Sequence, residues 1–229
     1  GMHMARETTI GLDFMLENPA SDMTLTIEAP GISAAANAVI TIDVADPAWA
    51  AVPAVLVVGG MISIDGTGWD SLDGKAHRIT AVSADVSVTI ATSTATETGL
   101  ADLADITVKI LAFDHVCLSE FTPNVGAPGE VDATTMCDLE RVNLPGLSSP
   151  GTASITGMFN LDDEGMLAML AAQADALPRF LMAETRQGQR GIFHGVVSMF
   201  AMGGLAVEGM VTYVGSLTVD RSATYAKAA

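Results

Sequence analysis

Positive charge is scarce in this chain. Ten Lys and Arg stand against 27 Asp and Glu, a formal net charge of −17 over 229 residues. The imbalance is spread along the sequence, with 14 acids and 4 bases in residues 1–112 and 13 acids and 6 bases in residues 113–229. Gripping nucleic acid requires Lys and Arg to neutralise phosphates, so a DNA- or RNA-holding surface is disfavoured. The same acidity suits a surface that DNA must pass without sticking, or serves solubility alone. Cysteine is nearly missing. Cys117 and Cys137 do not make a disulfide framework. They lie on neighbouring strand candidates, where they could approach each other, and a reducing cytoplasm favours thiols. No basic segment followed by an apolar one opens the chain, so no signal peptide is expected. The longest apolar run, residues 48–61, contains Pro53 and two glycines and is too short to span a bilayer. No membrane partner is expected.

Apolar material is plentiful. Hydrophobic residues make up 49% of the chain, enough for a sizeable core. They alternate with polar ones at a period of two. Met23, Leu25 and Ile27 are interleaved with Thr24, Thr26 and Glu28; Ile40, Ile42 and Val44 with Thr41 and Asp43. Val86, Val88 and Ile90 alternate with Asp85, Ser87 and Thr89, and Ile106, Val108 and Ile110 with Thr107 and Lys109. Such alternation marks strands with one wet face. Turn residues separate the runs at 29–31, 65–68 and 73–74. Short strands at this spacing predict a small β-barrel or sandwich in the first half.

Further strands are predicted at 113–120, 130–135 and 152–159, with a Pro- and Gly-bearing loop at 144–151. Then the period changes. Asp162, Asp163 and Glu164 precede Met166, Leu167, Met169, Leu170 and Leu177, with alanines between them. Acids in a first turn suit the positive end of the helix dipole, and Pro178 stops the run. One helix is expected, with Met166 and Met169 packing it onto the sheet. Strands return at 180–183, 192–202 and 205–219, and Gly203-Gly204 signals a tight hairpin. The expected division is residues 1–111 as N-terminal strands with a small barrel module, 112–222 as a mainly β domain with one helix, and 223–229 as a frayed tail.

Candidate chemistry is thin. Residues 66–76 faintly resemble a phosphate loop, but five residues separate Gly68 from Gly74, Ala76 follows Lys75, and a strand pattern follows where a helix is needed. A double turn plugged by Trp69 fits better. Consecutive Asp162, Asp163 and Glu164 point to different helix faces, so they suit a cap rather than a cation. His77, His115 and His194 are scattered without ligand spacing, and His115 near Cys117 lacks an orienting third group. No catalytic residue, cofactor or metal is expected. Arg179, Arg186 and Arg190 are the densest basic cluster, suited to a subunit contact or to a solvated turn.

Two stretches resemble the major tail tube proteins of long-tailed bacteriophages. Residues 58–82 (VGGMISIDGTGWDSLDGKAHRITAV) are similar to the small N-terminal β-barrel module in one branch of that family. Residues 113–221 follow its order: an acidic-Thr strand (EVDATTMCD, from Glu130), a Pro-Gly loop (LPGL, from Leu144), a G-x-F strand (SITGMF, from Ser154), one helix and a closing hairpin. The resemblance implies a tail-tube-like β-sandwich or barrel with one flanking helix, beside the N-terminal barrel module. It implies copies joined in hexameric rings that stack into a tube with an acidic lumen, through which DNA passes without specific binding. Glu130, Asp132, Asp138 and Glu140 become candidates for the lumen or the ring contact, and Leu144, Pro145, Gly146 and Leu147 for an inter-ring loop. The implied partners are copies of the chain and the tip, tape-measure and terminator proteins of a tail. The implied location is a virion tail, made in a bacterial cytoplasm from a prophage. The alternatives are a type VI secretion-type tube protein and a sugar-binding adhesive β-domain that stacks Trp49 and Trp69 on a glycan.

Overall fold

A computed structural model describes residues 12–43, 56–83, 87–124, 128–132, 143–148, 151–160, 162–202, 211–221 and 223–226. The first strands are β1 (Leu12–Glu17), β2 (Met23–Leu25), β3 (Ile27–Ile32), β4 (Val39–Ile42), β5 (Met61–Asp65), β6 (Lys75–Ser83) and β7 (Ser87–Ile90). A 3₁₀ turn, Leu103–Asp105, leads to β8 (Thr107–Ile110), β9 (Phe113–Val116), β10 (Leu118–Asn124), β11 (Pro128–Asp132), β12 (Asn143–Ser148) and β13 (Gly151–Met158). Helix α1 (Glu164–Asp175) is followed by β14 (Arg179–Thr185), β15 (Arg190–Met202), β16 (Thr212–Val219) and β17 (Thr224–Ala226). The protein is mainly β with one α-helix among the described residues, and no helix there is long and apolar enough to cross a membrane.

The chain forms two compact units. The first holds Gly1–His115, Phe180–Ile192 and Thr224–Ala229; the second holds Val116–Arg179 and Phe193–Ala223. The sequence order suggested a plain cut after residue 111, whereas residues 180–192 return to the first unit. They return because β14 pairs antiparallel with β1, from Leu12↔Thr185 to Leu16↔Leu181, a partnership no local pattern announces. The tail expected to fray also contains a strand: β17 pairs with Arg190–Ile192 of β15.

Seven strands of the first unit run in the order β2-β8-β5-β6-β7-β4-β3. The sheet nearly closes because the continuous run 23–32 changes partner midway. Its first half pairs with β8 and its second half with β4. The residues expected to make a turn at 29–31 lie inside β3, where the register with β4 shifts between Ile27 and Ile32. Gly31 adopts φ +83° within this irregular stretch, where five residue steps of β3 lie against two of β4. Ile40, Ile42, Val88, Ile90, Val108 and Ile110 point inward, as their alternation predicts, and Trp69 fills the same core at 3% exposure.

Strand β5 has no alternation, since Met61, Ile62, Ser63 and Ile64 are all buried. Both of its faces are covered. Ile62 and Ile64 join the barrel core, while Met61 joins a second core with Ala76, Leu111, Phe180, Met182 and Ile192. Burying a Met, Ile, Leu or Phe side chain in this way contributes about 1.5–3 kcal/mol.

In the second unit, β13 pairs with β10 on one side and β16 on the other, and β16 pairs with β15. Strands β15 and β16 pair antiparallel with Met202 opposite Tyr213; the tight turn expected at Gly203-Gly204 lies outside the described residues. Helix α1 begins where its acids predict. Asp163 is the N-cap and accepts from Gly165 N at 3.0 Å, satisfying a backbone donor that has no partner within the helix. The helix ends at Ala176, in the left-handed region at φ 52° with its N–H on Ala172 O, so Leu177 lies beyond the helix and is 54% exposed. Met166 and Met169 are fully buried, as expected.

Candidate functional site

The phosphate-loop resemblance is settled by hydrogen bonds. Gly66, Gly68 and Gly74 all have positive φ, so the loop is tightly coiled. The Asp73 carboxylate fills it, accepting from Thr67 N at 2.8 Å, Thr67 Oγ1 at 2.6 Å and Gly68 N at 2.9 Å. The donors that a phosphate would need are taken by the protein's own anion, and the chain runs on into β6. Trp69, offered by the adhesive alternative as a sugar platform, is buried with Nε1 donating to Thr98 O at 3.3 Å. It presents no face to a glycan. Trp49 lies outside the described residues.

His77, His115 and His194 each have a polar partner within the chain. His77 Nε2 faces the Leu72 carbonyl at 3.0 Å, which only a donor satisfies, so Nδ1 accepts from Thr92 Oγ1 at 2.7 Å. Burial holds this imidazole below its usual pKa and keeps it neutral. His115 pairs with Asp13, and His194 Nδ1 lies 2.7 Å from Asp220 Oδ1. Among the described residues, no group of three or more His, Cys, Asp or Glu is placed to hold a metal ion.

The arginines separate by role. Arg179 is buried and bound to Asp175, whose carboxylate is held below its usual pKa by the Leu177 N–H at 2.9 Å and by this guanidinium. Arg190 donates Nε to Glu184 Oε2 at 3.1 Å and a terminal nitrogen to Gly59 O. Arg186 is exposed in the turn between β14 and β15.

Glu130 and Asp132 lie on β11, opposite Pro145 and Asn143 of β12. Asp138 and Glu140 lie outside the described residues. Leu144, Pro145, Gly146 and Leu147, read from sequence as loop, lie on β12. Among the described residues β12 pairs with β11 alone, and a strand with an edge of that kind tolerates proline.

The surface that sequence reasoning did not single out is the outward face of β10, β13, β16 and the second-unit part of β15. Registers align its residues in rows. Glu120, Thr156, Val214 and Ala201 form one; Thr122, Ser154, Ser216 and Met199 the next; Asn124, Thr152, Thr218 and Val196 a third. Ser198 sits in a bulge of β15 between Val197 and Met199. Thr218 Oγ1 donates to Ser198 Oγ at 3.0 Å, and Ser198 and Ser216 share a 3.0 Å hydroxyl contact. Ser119 Oγ on β10 donates to Thr156 O at 3.1 Å. The reverse face buries Ala153, Ile155, Val197, Tyr213 and Leu217. The outward rows carry Glu120, and Asp220 lies beyond the last; neither Lys nor Arg occurs in them. The hydroxyls of Ser198, Ser216 and Thr218 are hydrogen-bonded to one another, and the rows combine Thr and Ser with Val196, Met199, Ala201 and Val214. The signal for it was the Thr/Ser alternation of residues 152–156 and 212–218. At the edge of this sheet, β10 pairs with β13 alone among the described residues.

No family pattern and no curated protein matches this chain. It is similar to a chain in the virion of a native gene transfer agent particle, at 15% identity and a TM-score of 0.42, over 50% of this chain and 88% of that one. A chain in the tail of an empty gene transfer agent particle gives 14% identity and 0.40, over 50% and 86%. A chain of the SPP1 tail tube gives 12% identity and 0.40, over 76% and 80%. TM-scores this low do not establish a common fold or a common role.

Proposed function

We propose that this chain is a repeating structural subunit of a phage-type tail tube and performs no bond chemistry. The observation that carries the reading is the hydroxyl-lined outward face of β10, β13, β16 and β15. Affinity for DNA comes largely from Lys and Arg releasing phosphate counterions. The rows of Thr and Ser on this face, which also hold Glu120, Val196, Val214 and Ala201, contain no Lys or Arg to grip a polyanion; Arg221 and the His194–Asp220 pair lie beyond the last row. We assign this face to the lumen. The β10 edge, which among the described residues pairs with β13 alone, suits strand addition by a neighbouring copy. Heterologous contacts of that kind close into rings, for which six copies is our proposed number, with the rings stacked into a tube. Glu130, Asp132, Asp138 and Glu140 are our candidates for the ring contact or the lumen rim, and Leu144–Leu147 for contact between rings. Arg186 is the exposed member of the arginine set and the one we assign to a subunit contact. Tip, tape-measure and terminator proteins would be the other partners, in the tail of a particle made in a bacterial host.

Electron microscopy of the concentrated protein, alone and with tail-tip proteins, tests this. Annuli or tubes are the expected result. Particles that stay monomeric in every condition would overturn it.

A further inference from the structure

Large apolar side chains that remain exposed among the described residues are Val57, Val58, Leu167, Leu177, Val214 and Tyr225. Scattered singly they would need no explanation. Val214 lies on the hydroxyl face, and the other five gather at two places.

The first place is in the first unit. Val57 and Val58 form the turn before β5, closed by Gly60 N donating to Val57 O at 2.9 Å. Tyr225 on β17 is 76% exposed. Arg190 links them. Its backbone stands opposite Ala226, next to Tyr225, and its guanidinium donates to Gly59 O, next to Val58. Arg78 donates to Gly188 O at 3.3 Å, in the turn that carries the exposed Arg186. Three of the ten Lys and Arg in the chain therefore stand around this apolar patch, and Glu184 beside them is engaged by Arg190.

The second place is the outward face of α1, in the second unit. Glu164, Leu167, Ala171 and Ala174 recur at steps of three and four residues, so they share one helix face, and all are exposed. Leu177 follows just past the helix end. A surface helix ordinarily turns charged residues to water, yet none occurs between Glu164 and Asp175. The charges that border this face are acidic. Asp162 and Glu164 are exposed at its start, Asp175 is bound to Arg179, and no Lys or Arg occurs from residue 142 to residue 178.

We propose that the two places are the halves of one contact between copies: the outward face of α1 in one copy seats on Val57, Val58 and Tyr225 of the next, with Arg186 against Asp162 and Glu164. Charge selects a second copy as the occupant. Two chains of net charge −17 repel each other over most of their surfaces, and the arginine-rimmed patch is where an acidic-ended apolar helix meets the opposite sign. Apolar centres with a charged rim are the usual build of a protein interface. Because the two halves are different surfaces, the contact is heterologous and continues from copy to copy instead of stopping at a pair. This inference rests on the reading that copies of the chain assemble, and it adds a contact separate from the β10 edge.

The test begins with the wild-type chain. It has two tyrosines, Tyr213 buried and Tyr225 exposed, so nitration followed by peptide mass analysis reads Tyr225 against an internal control. Tyr225 should react in the dilute chain and lose that reactivity in assembled particles, formed alone or with tail-tip proteins. Arg186→Glu and Glu164→Arg should each raise the concentration needed for half-assembly about tenfold or more, because like charges then face each other. Both reversals in one chain should recover most of the loss. Assemblies in which Tyr225 stays reactive, single reversals that assemble as wild type does, or a double reversal that recovers nothing would each overturn the contact and leave the tube reading standing. A chain that never assembles would overturn both. The nitration result decides the proposal even where a variant fails to fold.

Discussion

Gly157 and Tyr213 face each other in register across β13 and β16, and the tyrosine ring occupies the space that a side chain on residue 157 would need. A Cβ there would lie 2.4 Å from the ring Cζ and hydroxyl oxygen and 2.6 Å from the Cys117 carbonyl oxygen. Gly157→Ala is expected to destabilise the protein by about 1–3 kcal/mol, the cost of overpacking a filled core. The midpoint of chemical denaturation would show it, and an unchanged midpoint would mean that the ring is free to move.

Tyr213 should also resist ionisation. Its hydroxyl donates to Cys117 O at 3.3 Å, and burial pushes its pKa well up, with Asp163 and Cys117 adding to the effect. A raised folded-state pKa contributes stability that is present below the unfolded value and lost above it. Stability should therefore decline as pH rises past about 10, the ordinary tyrosine value. Absorbance titration should show Tyr213 ionising only together with unfolding; early ionisation in a folded chain would contradict the burial.

Asp73 organises the loop between β5 and β6 by accepting from Thr67 and Gly68. Asp73→Ala leaves those donors without this acceptor and is expected to cost about 1–3 kcal/mol. Asp73→Asn, which keeps one acceptor oxygen, should cost less. Equal losses in thermal or chemical denaturation would show that the hydrogen bonds are not what holds the loop.

Burial pushes the Glu17 carboxyl up to about 7, which predicts a pH dependence of stability. The folded chain keeps a proton that the unfolded chain releases near 4.5, so the stabilisation is full below that value and lost as pH rises through about 7. Other carboxylates also titrate at low pH, so the relevant quantity is wild type minus Glu17→Gln. That difference should move against wild type between these values, and a flat difference would rule the linkage out.

The outward sheet face makes a charge prediction. Thr152→Lys with Ser154→Lys places two cations on exposed positions of β13. Surface changes of this kind usually shift stability within about 0.5 kcal/mol. The variant should fold, assemble as wild type does, and acquire salt-dependent DNA retention. Retention by the unmodified protein in the same mobility assay would remove the physical basis for assigning this face to a lumen.

The sequence by itself determined the strands with one wet face and the single helix. A period of two at Val39–Ile42, Ser87–Ile90 and Thr107–Ile110 needs only one covered side to become a strand, and Asp163 caps its helix through a bond two residues away. It also determined that the loop at 66–74 is no phosphate site, because the spacing and the strand that follows are local facts. Only the tertiary structure decided the rest. Strand β5 lost its alternation because two cores cover it, β12 carries Pro145 within a strand that pairs with β11, and β14 joined β1 far along the chain. The hydroxyl rows likewise exist only once distant segments are in register. Local patterns record what each residue prefers along its own backbone, whereas burial on two sides and pairing across the fold depend on partners that the neighbouring residues do not encode.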